Sequence, residues 1–286
     1  MYPLDLIQAI VLGLVQGLAE FIPISSSAHL IIIPWLFGWK DPGLAFDVAL
    51  HMGTLIAVLV YFWQDWVRLI RGALNSLAQR NLTADPDGKL AWYIVLATIP
   101  GALAGALGES KLDEIFHGDT PAAAANGILI IGVVMIALAA LLWIAERIAS
   151  HRYDMSHLTL QQALTVGVAQ AFAIIPGVSR SGSTITAGLF MNLKREAAAR
   201  FSFLLGTPVI VGAGVKKAYD ILKEGGIPSG DLPAFIVGFL VAAISGYAAI
   251  FLLLRFLQRN TTLPFIVYRV VVGALLIVFV LAGFRR

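Results

Sequence analysis

The chain reads as a series of long apolar blocks joined by short polar segments. Eight blocks stand out, at roughly 4–38, 44–63, 90–108, 121–146, 160–192, 201–215, 233–254 and 264–284. Runs such as Gly127–Ile144 and Phe235–Leu254 approach the roughly 20 residues with which a helix crosses a hydrocarbon core of about 30 Å. The buried strands of a soluble α/β protein run only about 4–8 residues, which rejects that alternative. The pattern predicts an all-α polytopic membrane protein.

The first and fifth blocks differ from the rest. Each is broken near its middle by a proline and a run of hydroxyl residues, Pro23-Ile24-Ser25-Ser26-Ser27-Ala28-His29 and Pro176-Gly177-Val178-Ser179-Arg180-Ser181-Gly182-Ser183-Thr184. Irregular backbone at membrane depth is tolerated only where protein buries it or where it lines a wet cavity. Both blocks are therefore expected to be re-entrant hairpins, at about 4–38 and 160–192, leaving six full spans.

The two broken blocks also match each other. Gly13, Gln16, Ser25 and Ser27 pair with Gly167, Gln170, Ser179 and Ser181 at an offset of 154; Gly53-Thr54 pairs with Gly206-Thr207 at 153, and Gly105 and Gly132 with Gly246 and Gly273 at 141. An ordered set whose offset drifts one way is the mark of an internal repeat. The single membrane domain 1–286 then divides into a first repeat, 1–150, and a second, 151–286. Three spans per half is an odd number, so the second half is expected to be inverted, an architecture in which broken helices meet near the midplane. In that topology the 64–89, 147–159, 193–200 and 255–263 loops share a side and hold eleven of the 20 lysines and arginines. The other side holds Lys40, Lys111, Lys216, Lys217, Lys223, Arg285 and Arg286. The bias places both termini and the mouth of the first hairpin outside the cytoplasm.

Composition agrees with this picture. Charged residues make up 13% of the chain and hydrophobic ones 59%, with mean hydropathy +0.85, against about a quarter charged in soluble domains. The net charge of +3 and pI near 9.2 arise from basic residues in short loops, which positive-inside topology explains without nucleic acid. The absence of cysteine excludes disulfides, thiolate zinc sites and a cysteine nucleophile. No removable signal peptide is expected, because the N-terminus lacks a basic n-region.

Candidate chemistry concentrates at the two breaks. Gln16 and Glu20 lie four apart on one face of the helix entering Pro23, among Leu12, Leu14, Val15, Leu18, Phe21 and Ile22, and an ionisable group at that depth is expensive. Serines at a helix break are ordinarily caps. Beside a carboxylate and His29, however, Ser25, Ser26 and Ser27 complete a set of nucleophile, base and orienting group. In the second break, Arg180 lies among Gly177, Ser179, Ser181, Gly182, Ser183 and Thr184. Glycines let backbone amides approach a ligand, hydroxyls donate, and arginine forks onto phosphate oxygens. The structural alternative is a buried Arg180–Glu20 pair that only ties the halves together. Asp47 and His51, four apart, are candidate supporting groups. Arg269 and the tryptophans Trp39, Trp63, Trp66 and Trp92 read as interface anchors, and 192–196 as a loop.

Gln16-x-x-x-Glu20 followed by Pro23-Ile24-Ser25-Ser26-Ser27-Ala28-His29 resembles the (E/Q)xxxE and PxSSxxH signature of the bacitracin-resistance undecaprenyl-diphosphate phosphatases, and Pro176–Thr184 is similar to that family's PGxSRSxxT motif. The resemblance runs over essentially the whole chain. It implies hydrolysis of undecaprenyl diphosphate to the monophosphate lipid carrier, a role in cell-wall synthesis and bacitracin resistance, and a bacterial inner-membrane location with a site open to the periplasmic face. It also implies a divalent cation, Mg²⁺ or Ca²⁺, held with Glu20 and Gln16. Glu20, Ser26, His29 and Arg180 take the catalytic positions, and Ser25, Ser27, Gly177, Ser179, Ser181, Ser183 and Thr184 the substrate-binding ones. Members often carry Glu at the first position; the amide of Gln16 is no base and a poorer ligand for a hard cation, so Glu20 bears more of that role here. Ser26 is the favoured nucleophile, with His29 or a water that it activates as the alternative. An inverted repeat is equally a transporter architecture, so lipid-phosphate translocation is a rival reading, and a non-catalytic lipid-binding protein a third. Membrane lipids are partners in every case; homo-oligomerisation is left open.

Overall fold

A computed structural model describes residues 4–82, 85–116, 121–223 and 230–284, with the side chains of 109–115, 121–123 and 221–222 excepted. His117, Arg285, Arg286 and the side chain of Lys111 lie outside the described residues. The helices are α1 (Leu6–Phe21), α2 (Ser26–Phe37), α3 (Leu44–Tyr61), α4 (Trp63–Ala78), α5 (Pro86–Phe116), α6 (Pro121–Ile148), α7 (Leu160–Ala171), α8 (Arg180–Phe190), α9 (Arg195–Lys223), α10 (Leu232–Leu257) and α11 (Leu263–Leu281). Six of them, α3, α5, α6, α9, α10 and α11, contain stretches long and apolar enough to span a bilayer.

The other apolar helices are too short to cross. α1 and α2 have 16 and 12 residues, α7 and α8 have 12 and 11. At about 1.5 Å per residue none exceeds roughly 24 Å. Each pair folds back on itself, and a glutamine closes each base: Gln8 Nε2 donates to Lys40 O (2.9 Å), and Gln162 Nε2 to Met191 O (3.1 Å). Asp5 caps α1, and Thr159 with Gln162 forms a capping box on α7. The base of the first hairpin lies by the start of α10, where Leu4 N–H donates to Asp231 (2.9 Å). The base of the second lies among the basic loops, where Arg152 N–H donates to Asn192 O (2.9 Å).

Small residues let the hairpins dock. A Cβ added at Gly13 would sit 2.7 Å from Gly238 O, and one at Gly167 would collide with the backbone of Ala97. Where α6 crosses α11, a Cβ added at Gly132 would sit 2.9 Å from Gly273 O and one at Gly273 2.7 Å from Gly132 O. Close backbone approach through small residues is the usual means of packing helices in lipid.

Ion pairs gather the basic loops at one end. Arg195 Nε donates to Glu146 (2.7 Å), which also accepts from Thr262 Oγ1 (2.8 Å), while Arg200 meets Asp65 (3.1 Å) and Lys194 meets Asp154 (2.9 Å). Two expectations are corrected here. The 64–89 segment is not a loop: it holds α4 and the first residues of α5, because an amphipathic sequence at the interface keeps helical hydrogen bonding while its charged ends reach water. Likewise only 192–194 of the 192–196 segment is a turn, pivoting on Asn192 at φ 62, and α9 starts at Arg195. Trp63 is exposed, as an interface anchor should be, but Trp66 packs partly against the core and Trp92 donates its indole N–H to Ser76 Oγ (2.8 Å).

Candidate active site

The two breaks meet. Ser25 and Ser179, which lie 154 residues apart, both have positive φ (79° and 70°) and both cap the helix that follows. Non-glycine residues in that region cost about 1–3 kcal/mol unless their surroundings enforce it. Here the partner hairpin enforces it: Ser25 Oγ accepts from Gly177 N–H (3.2 Å), and Ser181 Oγ donates to Ile22 O (3.3 Å). Ser25 Oγ lies 3.3 Å from Ser27 Oγ, and Ser179 Oγ 3.2 Å from Ser181 Oγ. Ser26 and Arg180 thereby become the first residues of α2 and α8. The positive ends of both helix dipoles point into the same space.

Glu20 is the hub. Ser26 Oγ donates to its Oε2 (2.6 Å), and Gln16 Nε2 donates to the same oxygen (3.1 Å). Its Oε1 accepts from Arg180 Nη2 (2.9 Å) and Nε (3.3 Å). His51 Nε2 stands 3.6 Å from Oε2. Arg180 is held from behind, since Nη1 donates to Ser202 O (2.9 Å). Gly206 leaves the room that the guanidinium occupies; a Cβ there would overlap it. Glu20 is 6% exposed and the Arg180 side chain 11%, so the pair is desolvated but not sealed. The Arg180–Glu20 pair is thus present and His51 stands beside the same carboxylate, while Asp47 contributes its backbone carbonyl, which accepts from His51 Nδ1 (2.8 Å).

His29 faces elsewhere. Its Nδ1 lies 2.6 Å from Ser25 O, and its Nε2 lies 2.7 Å from Tyr268 OH with the two rings stacked. A carbonyl only accepts, so Nδ1 carries the proton; in a neutral ring Nε2 would accept from the tyrosine. No hydrogen bond joins His29 to Ser26 or Glu20 among the described residues. Ser183 and Thr184 direct their hydroxyls to Arg180 O (3.1 and 2.7 Å), and Thr184 also meets Ser202 Oγ (2.6 Å). These two hydroxyls brace the start of α8.

Arg269 is no interface anchor. It is 1% exposed and donates to Pro23 O (3.2 Å), Gly177 O (2.7 Å), Val178 O (3.4 Å) and Met135 O (3.2 Å). One guanidinium thus clamps a carbonyl of each turn. The turns offer several carbonyls that their broken helices leave unpaired, and a fork of five donors satisfies them. Its place one turn into the last apolar block gave no hint of this, because the partners lie far away in sequence. Tyr268, its neighbour, was equally unsignalled.

Residues for a hard cation are present in part. Gln16 Oε1 is buried without a hydrogen-bond partner, beside the Glu20 carboxylate. Among the described residues no group of three His, Cys, Asp or Glu is placed to hold a metal. An amide oxygen with one carboxylate suits an ion such as Mg²⁺ that takes its remaining ligands from water and phosphate.

Fold and site together define a multi-pass α-helical membrane protein whose buried polar site forms between two broken-helix hairpins. Residues 9–275 match the family described as bacitracin resistance protein BacA, and the chain belongs to that family. It is similar to proteins named undecaprenyl-diphosphatase: that of Thermomicrobium roseum is 47% identical, over 96% of this chain and 97% of the relative. The Moorella thermoacetica protein is 47% identical over 96% and 97% of the two chains, and the Geobacter sulfurreducens protein 43% identical over 98% and 100%.

Proposed function

We propose that this protein hydrolyses undecaprenyl diphosphate to undecaprenyl phosphate and inorganic phosphate, returning the lipid carrier to cell-wall synthesis and conferring bacitracin resistance. The family and the near-full-length likeness to undecaprenyl-diphosphatases support the substrate. The observation that carries the mechanism is the 2.6 Å hydrogen bond from Ser26 to Glu20, with Arg180 beside the same carboxylate.

In this reading the diphosphate enters between the hairpin turns with its polyprenyl chain among the helices. Arg180 turns one edge of its fork from Glu20 to the phosphoryl oxygens while Nη1 keeps its hold on Ser202 O. Ser26 Oγ attacks the terminal phosphorus and its proton passes to Glu20; the bond to the bridging oxygen breaks, and Glu20 returns that proton to the undecaprenyl phosphate that leaves. Water then cleaves the phosphoserine, with the restored Glu20 carboxylate taking the water's proton and passing it to Ser26 Oγ as the P–O bond to serine breaks. The guanidinium and the two helix N-termini are placed where charge grows on the transferring group, which is the main catalytic lever in phosphoryl transfer. His29, fixed between Ser25 O and Tyr268, is the alternative nucleophile or activator of water. Gln16 and Glu20 would hold Mg²⁺ or Ca²⁺, which supplies charge neutralisation on the phosphate oxygens.

We further read the halves as inverted repeats, since their hairpins open at opposite ends. The excess of lysine and arginine around the 147–159 and 193–200 loops supports an inner-membrane orientation with both termini and the first hairpin's mouth on the periplasmic side. The opposed openings also favour a second reading, translocation of the lipid phosphate.

Phosphate release from undecaprenyl diphosphate by purified protein in detergent, with and without EDTA, for wild type and Arg180→Ala, tests the proposal. Metal-dependent release that the variant loses supports hydrolysis and the cation together. A folded wild type that releases no phosphate would overturn it in favour of translocation.

A further inference from the structure

At the end of the molecule that gathers the basic loops, a cavity of about 380 Å³ opens between α4, the start of α5, the 155–158 segment and α9. None of the residues assigned to the candidate active site lines it. Its walls carry three cations, Arg68, Lys89 and Arg200, against one carboxylate, Asp65. Asp65 is already shared by Arg68 (2.6 Å) and Arg200 (3.1 Å). Among the described residues, the contact of the Lys89 ammonium is the Tyr93 ring, 5.5 Å away. Two positive charges are therefore left over in a concave, half-apolar space floored by leucines such as Leu69 and Leu204.

The depth of the cavity is fixed by α4. This helix turns Trp63, Ile70, Leu74 and Leu77 outward, each more than half exposed, while Leu69 and Gly72 pack inward. An apolar stripe facing away from the protein, on a helix that also exposes Arg68, suits a helix lying in the headgroup region of a bilayer. The spans α5 and α9 start at the same level. The mouth of the cavity thus faces phospholipid headgroups, with a cationic wall for phosphate and an apolar floor for the glycerol and first acyl carbons. Basic pockets between membrane helices are the usual setting for anionic headgroups.

We propose that this cavity binds the phosphate headgroup of an anionic phospholipid, at a site separate from the diphosphate site. Arg68 and Lys89 contact the phosphate oxygens, Ser156 and Tyr93 donate from the sides, and Arg200 holds Asp65 away from the ligand.

The test uses full-length protein extracted from vesicles of phosphatidylcholine and phosphatidylglycerol, with retained lipid counted by native mass spectrometry. Wild type is expected to retain phosphatidylglycerol over phosphatidylcholine. Arg68→Gln and Lys89→Gln should each weaken that preference about fivefold, in keeping with the worth of a single cation near an anionic headgroup, and leave detergent phosphatase activity unchanged. Arg259→Gln, a basic residue at the same end outside the cavity, should leave the preference intact. Equal retention in wild type and the double variant overturns the proposal, and so does an equal loss in Arg259→Gln. Thermal protection by inorganic phosphate as strong as that by phosphatidylglycerol would make this a free-phosphate site and likewise overturn it.

Discussion

The Ser26 hydroxyl lies 2.6 Å from Oε2 of Glu20, across the very break that ends α1 and starts α2. A helix that simply continued would put residues six apart on different faces. The Pro23 turn folds α2 back, so that the proposed nucleophile and its proposed proton acceptor meet. Glu20→Gln keeps the shape and removes the base. We expect kcat to fall by roughly 10²–10⁴-fold, the usual worth of a positioned general base, with Ser26→Ala falling at least as far. A Ser26→Ala enzyme turning over near the wild-type rate would sink the serine route and leave His29 or activated water.

Arg269 tests the architecture rather than the chemistry. Replacing it with methionine leaves the carbonyls of Pro23, Gly177 and Val178 buried without a donor, at about 1–3 kcal/mol for each group left unsatisfied. Unfolding in detergent should show a loss of several kcal/mol, and Arg269→Lys should recover only part of it, because an ammonium cannot fork to both turns. A variant as stable as wild type would show that water replaces the guanidinium.

Gly206 offers a sharper contrast. Its Cα abuts the guanidinium of Arg180, while Gly212 on the same helix has open space around its missing side chain. Gly206→Ala should therefore push Arg180 off its seat and lower kcat/KM by about 10²-fold or more, as small displacements of a positioning arginine do. Gly212→Ala should leave activity alone and stabilise α9 by up to about 1 kcal/mol. Equal effects of the two substitutions on kcat/KM would contradict this account of Gly206.

Tyr268→Phe removes the one side-chain partner of His29 Nε2 while keeping the stacked ring. If the imidazole acts on the reaction, kcat drops about tenfold with KM little changed. An unaltered kcat assigns His29 to packing alone.

Much of this was legible in the chain. The lengths of the apolar blocks gave six spans, and two prolines followed by hydroxyls marked the breaks. Glu20 and Arg180 stood out because each is an expensive residue at membrane depth beside a break, whereas Ser26 was separated from Ser25 and Ser27 only by the family resemblance. The offset of 154 also paired residues with like contacts, such as Gly13, packed against Gly238, with Gly167, packed against Ala97. Arg269 and Tyr268 were not legible: they serve the site from a regular helix, and what they touch is set by how α11 packs. The helix α4 was missed for a different reason. Its charges reduce its hydropathy, and an average along the chain cannot separate a polar loop from a helix whose two faces cancel. The hydroxyl bonds of Ser183 and Thr184 to backbone likewise follow from their positions on the first turn of α8, not from residue type.

The site draws its acid and hydroxyl from the first hairpin and its cation from the second, with Arg269 touching the turns of both. Neither hairpin therefore holds a whole site. A shift in one turn is felt at once by the other through shared hydrogen bonds. The part of the molecule least able to tolerate change is thus neither hairpin itself but the seam along which the two touch.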